Sequence, residues 1–405
     1  MTDQAVIIGA GQAGAQGAQS LRQAGFAGNI VLIGAERALP YQRPPLSKAY
    51  LQGAMAADRL SLKPEAFFAQ NAIDLRLGVG VTAINRQGGT IEIESGERLA
   101  YDRLLIATGA PPRRLACPGT ELSGIHYLRA IDDCEGLRPV LAAARRIVIV
   151  GAGYIGLEVA ASARKAGCAV TVLEMAPRVL ARVAGAGISA FFDNLHRAHG
   201  VDLRLGAGLA GFEGRDAVEW AVLASGERIP CDAALIGIGA APATALAAAA
   251  GLAIDNGVAT DDSAQTSDPA IFAAGDCASF PSRLYGRRMR LESVPNAIEQ
   301  AKVAGANMAG GDAVYDAVPW FWSDQFDVKL QTAGVAEGCD SAATRGDPAS
   351  GRFSVWSLLG RQLLAVDAVN DPAAFLAAKR LIAAKTPVDA KVLADPATDL
   401  KSLAS

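Results

Sequence analysis

Two glycine-rich segments with the same pattern constrain this 405-residue chain more than any other feature. Residues 5–25, AVIIGAGQAGAQGAQSLRQAG, and residues 147–167, IVIVGAGYIGLEVAASARKAG, each predict a strand, a Gly-x-Gly-x-x-Gly turn and a helix. Such a turn brings backbone N–H groups and the positive end of the helix dipole to the pyrophosphate of a dinucleotide. One turn serves one dinucleotide, so two turns predict two dinucleotides and electron transfer between them.

Each turn is followed by a strand that ends in an acidic residue. The first turn consists of Gly9, Gly11 and Gly14, with Glu36 ending IVLIGAE, and the second consists of Gly151, Gly153 and Gly156, with Glu174 ending VTVLE. A carboxylate in that place accepts hydrogen bonds from ribose hydroxyls. Because a carboxylate also repels a 2′-phosphate, Glu174 predicts NADH in preference to NADPH. Arg178 lies close by in the sequence, and we expect it to weaken that preference.

Composition excludes several classes of protein. The formal charge of −3 argues against nucleic-acid binding, which needs a basic face. Residues 233–254 carry no charge, but their Ala and Gly content and Pro242 predict a strand, a turn and a helix rather than a membrane span. The six cysteines are at least 17 positions apart, so neither a dithiol nor a metal or cluster site is predicted. Without a signal peptide pattern, we expect a cytoplasmic protein whose cysteines are mostly buried.

A rough internal duplication relates residues 5–112 to residues 147–242, which predicts two similar domains. The fold class is therefore α/β, with two Rossmann-like dinucleotide-binding domains and a smaller α+β C-terminal domain. The expected boundaries are 1–109 and 243–313 for the first dinucleotide-binding domain, 110–242 for the second, NADH-binding domain and 314–405 for the C-terminal domain. Helices are expected in NAIEQAKVAGANMAG and over 372–384.

Three further places suggest chemistry. Glu158 lies among apolar helix residues, so it needs a partner such as Lys48, unless it is partly exposed at the start of its helix. Gly275-Asp276 closes the apolar strand IFAAGDCA, where an aspartate can bind ribityl or ribose hydroxyls. Trp320 and Trp322 should share one face of a strand, either packed in the core or forming an aromatic wall beside a flavin.

These residues lie in segments that together resemble the NADH-dependent, FAD-containing ferredoxin reductases of oxygenase and cytochrome P450 systems. The segments include PYQRPPLSKAYL, LLIATGA, VIVGAGYIGLEVAA, IFAAGDCA, ESVPNAIEQA and PWFWSDQFDVKLQ, and the similarity extends over essentially the whole chain. The resemblance implies a glutathione-reductase-like FAD/NAD fold. It also implies an oxidoreductase that takes a hydride from NADH and passes single electrons to a [2Fe-2S] ferredoxin, which feeds a cytochrome P450 or a ring-hydroxylating oxygenase.

The resemblance also implies roles for individual residues. The residues assigned to FAD are Gly9, Gly11, Ala13, Gly14, Glu36, Arg43, Lys48, Val81, Thr108, Gly109, Arg129, Gly275, Asp276, Glu292, Val294 and Trp320. Those assigned to NADH are Gly151, Gly153, Ile155, Gly156, Glu158, Glu174, Arg182 and Gly237. Lys48, Glu158 and Trp320 would act at the reacting rings by position and charge. Some relatives carry the acidic residue that ends this strand one position earlier. The residue that contacts the FAD ribose is therefore left open between position 35 and Glu36.

The electron acceptor is expected to be a separate protein. Disulfide reductases of this fold carry a cysteine pair after the first βαβ unit, whereas this chain reads PYQRPPLSK there. Candidate charges for docking an acidic ferredoxin are Arg287, Arg288 and Arg290, then Arg113 and Arg114, unless these are merely solvated surface charges. Alternative functions are an NADH oxidase or small-molecule acceptor reductase on the same fold, and an NADH-sensing flavoprotein that acts by binding. We expect a monomer or weak dimer, with no membrane partner.

Overall fold

The structure, a computed structural model, describes residues 3–403. Its strands are, in chain order, β1 Gln4–Ile8, β2 Asn29–Gly34, β3 Ile73–Leu77, β4 Val81–Asn85, β5 Thr90–Ile93, β6 Arg98–Ala100, β7 Arg103–Ile106, β8 Ile125–His126, β9 Arg146–Val150, β10 Ala169–Glu174, β11 Asp202–Leu205, β12 Leu209–Glu213, β13 Trp220–Leu223, β14 Arg228–Pro230, β15 Ala233–Ile236, β16 Val258–Ala259, β17 Ile271–Ala273, β18 Ala278–Ser282, β19 Arg287–Met289, β20 Trp320–Gln325, β21 Val328–Gly334, β22 Ser341–Asp347, β23 Arg352–Leu359 and β24 Gln362–Val369. The α-helices are α1 Gln12–Gln23, α2 Glu65–Gln70, α3 Ile131–Ala143, α4 Tyr154–Lys165, α5 Ala186–Ala198, α6 Ala245–Ala249, α7 Val294–Met308, α8 Pro372–Ala384, α9 Ala390–Ala394 and α10 Leu400–Leu403. Short 3-10 helices cover Pro44–Ser47, Ala57–Leu60 and Pro348–Ser350.

The chain divides into two units. The first contains the chain up to Gln42 together with Ala57–Pro111 and Ala241–Pro319. The second contains Arg43–Ala56, Pro112–Ala240 and the chain from Trp320 onward. The segment Arg43–Ala56 belongs to the second unit because its 3-10 helix packs on α3 and α4. In the expected scheme this segment lies within the FAD-binding domain, so the contact-based division differs there.

The first unit is built on a parallel five-stranded sheet in the order β17-β7-β1-β2-β3. Strands β1, β2 and β7 are nearly continuous apolar runs, as expected for a sheet covered on both faces, whereas the edge strand β3 carries Asp74 and Arg76. Helices α1 and α7 pack closely on one side, and a Cβ atom added at Gly305 would lie 2.8 Å from the backbone nitrogen of Leu21. Two three-stranded sheets, β4-β5-β6 and β16-β18-β19, complete this unit.

The second unit repeats this plan. Its parallel sheet has the order β11-β10-β9-β15-β8. Strand β9, which precedes the second glycine turn, lies between β10 and β15, just as β1 lies between β2 and β7 in the first unit. An antiparallel sheet of β12, β13 and β14 is inserted, and β20 to β24 form the antiparallel sheet β20-β21-β24-β23-β22 against which α8 packs. The predicted fold class is confirmed, since the predicted duplication corresponds to two parallel sheets of like topology.

Local predictions also agree with the observed elements. The predicted helices correspond to α7 and α8, and residues 233–254 form strand β15 and helix α6. None of the helices within residues 3–403 has both the length and the apolar character that a bilayer-spanning helix requires. Four of the six cysteines are buried, with Cys117 half-buried and Cys339 exposed.

Candidate active site

The first glycine turn leaves open space in front of the N-terminus of helix α1. Gly9 has a φ of +109°, and a Cβ atom there would lie 2.2 Å from the carbonyl oxygen of Ala107. A Cβ at Gly14 would lie 1.8 Å from the carbonyl oxygen of Gly9, whereas one at Gly11 would meet nothing within 4 Å. Gly11 caps the helix with no side-chain hydrogen bond, so the N–H groups of the first turn face a space that fits a pyrophosphate.

The second turn repeats this geometry at the N-terminus of helix α4. Gly151 has a φ of +106°, and a Cβ there would lie 2.4 Å from the carbonyl oxygen of Gly237. A Cβ at Gly156 would lie 2.1 Å from the carbonyl oxygen of Gly151, and one at Gly153 would meet nothing within 4 Å. In both turns the first and third glycines serve packing, while the middle glycine leaves room for a ligand.

The two acidic strand ends differ in their surroundings. Glu36 accepts a hydrogen bond from the hydroxyl of Tyr41 at 2.5 Å. Glu174 accepts hydrogen bonds from the backbone N–H groups of Ala152 and Ala176, both at 2.8 Å, which fix its carboxylate beside the second turn. A fixed carboxylate at this position fits a ribose diol.

Arg178 is held by its own loop. Its guanidinium donates to the carbonyl oxygens of Ala181 at 2.9 Å and Ala184 at 2.6 Å, and to the hydroxyl of Ser189 at 2.5 Å. These bonds occupy the group that would otherwise meet a 2′-phosphate. The structure therefore gives no support to the expected weakening of the NADH preference.

Glu158, on the helix that follows the second turn, accepts hydrogen bonds from three side chains. It lies one helical turn after Tyr154, is 4% exposed, and its Oε2 atom lies 2.8 Å from Nζ of Lys48. Oε2 also accepts from the hydroxyl of Ser47, and Oε1 accepts from the hydroxyl of Ser323 at 2.7 Å. The predicted pairing with Lys48 is confirmed, and the alternative of partial exposure is wrong.

The other residues assigned to the flavin by the resemblance fall into both units. In the second unit, a guanidinium nitrogen of Arg43 donates to the carbonyl oxygen of Arg129 at 2.8 Å, and the N–H of Arg129 donates to Asp133 at 2.9 Å. Lys48 also belongs to the second unit, while Val81 begins β4 in the first.

In the first unit, Gly275 brings its neighbour Asp276 to the first glycine turn. A Cβ atom at Gly275, whose φ is +83°, would lie 3.0 Å from the Cβ of Ala13. The carbonyl oxygen of Asp276 accepts from Arg290, which pairs with Glu292 at 2.7 Å. Val294 begins α7 immediately after these residues. Thr108 and Gly109 follow strand β7, where the Thr108 hydroxyl donates to the carbonyl oxygen of Ala243 at 2.8 Å.

Strand β20 carries aromatic side chains on both faces. The rings of Trp320 and Trp322 are 5.6 Å apart, which confirms the predicted shared face. Nζ of Lys379 lies 5.1 Å from the centre of the Trp320 ring. On the opposite face, Phe321 lies 4.5 Å from the ring of Tyr154, the first residue of α4.

Two further residues that the resemblance assigns to NADH lie beside the second turn. Ile155 is 48% exposed within the first turn of α4. A Cβ atom at Gly239 would lie about 3 Å from the guanidinium of Arg182. Gly237 and Gly239 both come directly after strand β15. The side chains of Ile155 and Arg182 therefore lie at the end of the second parallel sheet that holds the glycine turn.

The candidate docking arginines make contacts of their own. Arg288 donates to the carbonyl oxygens of Thr260 at 2.9 Å and Ser279 at 2.6 Å, and the side chain of Arg290 is 12% exposed. Arg113 donates to the carbonyl oxygen of Ala240, and Arg114 lies 4.0 Å from the centre of the Tyr127 ring. The docking position stays a prediction.

Sequence reasoning missed Ser47, Ser323, Gln325 and His196. The available signal was the alternation Ser323-x-Gln325 in an otherwise aromatic strand, which places two polar side chains on one buried face. No group of three or more His, Cys, Asp or Glu side chains within residues 3–403 is arranged to hold a metal ion.

Two parallel sheets, each with a glycine turn whose middle glycine is open, define the class of oxidoreductases that bind two dinucleotides, FAD and NAD(H). A family model described as pyridine nucleotide-disulphide oxidoreductase matches residues 3–301, and one described as reductase C-terminal matches residues 320–404. The chain belongs to the pyridine nucleotide-disulphide oxidoreductase family.

Similar proteins narrow this class to reductases of electron-transfer systems. The chain is 45% identical to putidaredoxin reductase of Pseudomonas putida, over 99% of this chain and 96% of that protein. It is 43% identical to rhodocoxin reductase of Rhodococcus erythropolis, over 98% and 93% of the two chains. A crystal structure of putidaredoxin reductase in covalent complex with putidaredoxin superposes with a TM-score of 0.97 at 44% identity, covering 99% of this chain and 98% of that one.

Proposed function

We propose that this protein is a ferredoxin–NAD(+) reductase. It takes a hydride from NADH and passes single electrons to a [2Fe-2S] ferredoxin, which serves a cytochrome P450 or a ring-hydroxylating oxygenase. The observation that carries the proposal is the ion pair between Lys48, whose side chain is 17% exposed, and the buried Glu158 on the helix of the second glycine turn, in a chain that has two such turns. The names of the similar reductases support the acceptor class.

The residues around each turn fit the two dinucleotides. Gly9, Gly11, Ala13 and Gly14 would hold the FAD pyrophosphate, with Glu36 at its ribose and Asp276 at its ribityl chain. Gly153, Gly156 and Glu174 would hold NADH in the same way. Bound FAD supplies the step between the two-electron donor and the one-electron acceptor. The protein supplies position and charge.

Lys48 contributes a positive charge that is held in one place by Glu158. Its side chain is 17% exposed, so the charge is screened less than that of a surface lysine. A fixed cation lowers the energy of negative charge that develops near it during the reaction, without the cost of reorganising solvent. Glu158 in turn directs the ammonium group, because it accepts bonds from three donors in fixed positions.

The test is NADH-driven reduction of cytochrome c with and without added [2Fe-2S] ferredoxin. We expect cytochrome c reduction to depend on the ferredoxin, because residues 3–403 contain no dithiol and no metal site through which electrons could leave. Rapid oxygen consumption that no ferredoxin stimulates would instead identify an NADH oxidase.

We also propose that the ferredoxin docks by charge on the basic segment Arg287–Arg290. Because Arg288 and Arg290 already bond to carbonyl oxygens, we expect only a modest charge effect there. The KM for ferredoxin should rise with ionic strength, and a salt-independent KM would contradict docking by charge. The four domain ranges given above, a cytoplasmic location and a monomer or weak dimer complete the proposal.

A further inference from the structure

A row of buried polar side chains leads from Glu158 through strand β20 to helix α5. Ser323 Oγ lies 2.7 Å from Glu158 Oε1, and Gln325 Nε2 lies 3.1 Å from Ser323 Oγ. His196 Nε2 lies 2.8 Å from Gln325 Oε1. Ser323, Gln325 and His196 are each 0% exposed, and all four residues of this polar row belong to the second unit.

The alternation of strand β20 produces this arrangement. Phe321, Ser323 and Gln325 share one face, which meets α4 at Tyr154 and Glu158 and meets α5 at His196. Tyr154 and Glu158 are four residues apart and so lie on one face of α4. The C-terminal sheet therefore holds the side chains of the helix that follows the second glycine turn.

The hydrogen atoms of the polar row follow one direction. Glu158 is paired with Lys48 and accepts only, so the single hydroxyl proton of Ser323 points to Glu158. Ser323 must then accept from the Gln325 amide group, which turns the Gln325 carbonyl toward His196. His196 consequently carries its proton on Nε2, and its buried Nδ1 has no hydrogen-bond partner among the described residues.

The row cannot carry a proton outward. An amide does not readily pass a proton, and a second proton on His196 would lie on Nδ1, which has no hydrogen-bond partner within residues 3–403. Burial lowers the pKa of His196 to about 4 against the opposing effect of the Gln325 bond, while Asp193 on α5 and His199 just after it act in opposite directions. The imidazole therefore stays neutral at physiological pH and acts as a fixed donor.

We propose that His196 is a positioning residue, which acts through Gln325 and Ser323 to fix the Glu158 carboxylate in the orientation that holds Lys48. A carboxylate bonded on Oε2 by Ser47 and Lys48 alone can turn about its side-chain bonds, and the bond from Ser323 to Oε1 removes that freedom. The catalytic use of this orientation rests on the proposed function. The row itself does not.

The first test, on the FAD-loaded protein, does not depend on electron transfer. The chain has three histidines, so ¹⁵N-labelled histidine gives a small set of ring signals, and the His196→Gln variant assigns one of them. We expect His196 to be the neutral Nε2–H tautomer at every pH from about 5 to 8. An Nδ1–H tautomer, or titration of His196 near its ordinary pKa, would overturn the proposal.

The second test measures coupling across the row. Gln325 and Lys48 do not bond to each other, so unfolding free energies of Gln325→Leu, Lys48→Met and the double variant should be additive unless Glu158 links them. We expect them to be non-additive. Additive values from folded variants would contradict the proposal, whether or not the protein reduces ferredoxin.

The third test is stopped-flow reduction of bound flavin by NADH. We expect Gln325→Leu to lower the limiting rate about tenfold while the Kd for NADH changes less than about twofold. His199→Gln is the control, because His199, the residue that follows α5, stacks on Phe326 and takes no part in the hydrogen bonds of the row, and its rate should equal that of the wild type. An unchanged limiting rate in folded Gln325→Leu would remove the row from the mechanism. Wild-type flavin that NADH does not reduce would instead count against the proposed function.

Discussion

Nζ of Lys48 and Oε2 of Glu158 are 2.8 Å apart, although 110 residues separate them in the sequence. Their side chains are 17% and 5% exposed, so neither charge is freely solvated. Burying a carboxylate beside a single cation and two serine hydroxyls carries a desolvation penalty, so a gain in stability does not by itself explain the pair. Its position on the helix of the second glycine turn is what relates it to function.

Replacing Lys48 by methionine removes the cation and keeps the length of the side chain. We expect Lys48→Met to slow flavin reduction by NADH about tenfold. The free energy of unfolding should fall by about 2 kcal/mol, because the buried carboxylate loses its cation. The bonds from Ser47 and Ser323, which remain, limit the loss. Chemical denaturation and stopped flow measure the two effects. The double variant Lys48→Met with Glu158→Gln should recover stability but not rate, and recovery of both would show that the pair is only structural.

The glycines of the second turn should separate binding from packing. Gly153→Ala places a methyl group in open space, so we expect the KM for NADH to rise about tenfold with FAD content unchanged. Gly156→Ala places a methyl group 2.1 Å from the carbonyl oxygen of Gly151, so its main effect should be a lower Tm. Steady-state kinetics and thermal unfolding distinguish the two. Equal effects of both variants on KM and Tm would contradict this assignment.

The nicotinamide preference should depend on the charge of Glu174. Glu174→Gln keeps one oxygen for a backbone N–H group but removes the repulsion of a 2′-phosphate. The ratio of kcat/KM for NADH to that for NADPH should fall about tenfold, which corresponds to ~1.4 kcal/mol. Arg178→Lys is the control and should leave the ratio unchanged, since the Arg178 guanidinium is bound within its loop. A changed ratio in Arg178→Lys, with an unchanged ratio in Glu174→Gln, would assign the nicotinamide preference to Arg178 instead.

Asp367 should make stability depend on pH. Burial raises the pKa of Asp367 to about 6, although its carboxylate accepts a hydrogen bond from the Thr332 hydroxyl at 2.6 Å. Because the folded pKa lies above the unfolded value, this group favours the folded state below pH ~4, and that contribution is lost as the pH rises through about 6. Two pKa units correspond to at most about 3 kcal/mol.

Asp367→Asn should therefore stabilise the protein at pH 7 and flatten the profile between those limits, as measured by urea unfolding at several pH values. Asp340 provides a control of opposite sign, because bonds from Gly360 and Ser341 lower its pKa at an exposed position. An Asp367→Asn profile that matches the wild type would show that Asp367 does not titrate in this range.

Local patterns predicted the features that depend on neighbouring residues. The two turns follow from Gly9 to Gly14 and Gly151 to Gly156, and helices α7 and α8 follow from their own segments. The need of Glu158 for a partner was also predictable, since an unpaired buried carboxylate is costly. That Lys48 should supply the charge was proposed from candidate residues, and the fold confirms it.

The polar row depends instead on packing between distant segments. Ser323 meets Glu158 across 165 residues and His196 meets Gln325 across 129, and no local periodicity encodes such pairings. For Arg178, too, the sequence did not reveal the contacts of the side chain. Its position beside Glu174 in the sequence suggested a phosphate contact, but three bonds within its loop direct the guanidinium elsewhere.

This one polypeptide holds FAD and accepts electrons from NADH for a ferredoxin. The most direct measurement is an anaerobic titration of the purified, FAD-loaded protein with NADH, followed by addition of oxidised [2Fe-2S] ferredoxin. We predict that stoichiometric NADH bleaches the flavin absorbance and that ferredoxin restores it. A protein that stays colourless after incubation with FAD, or a bound flavin that NADH does not bleach, would contradict the account.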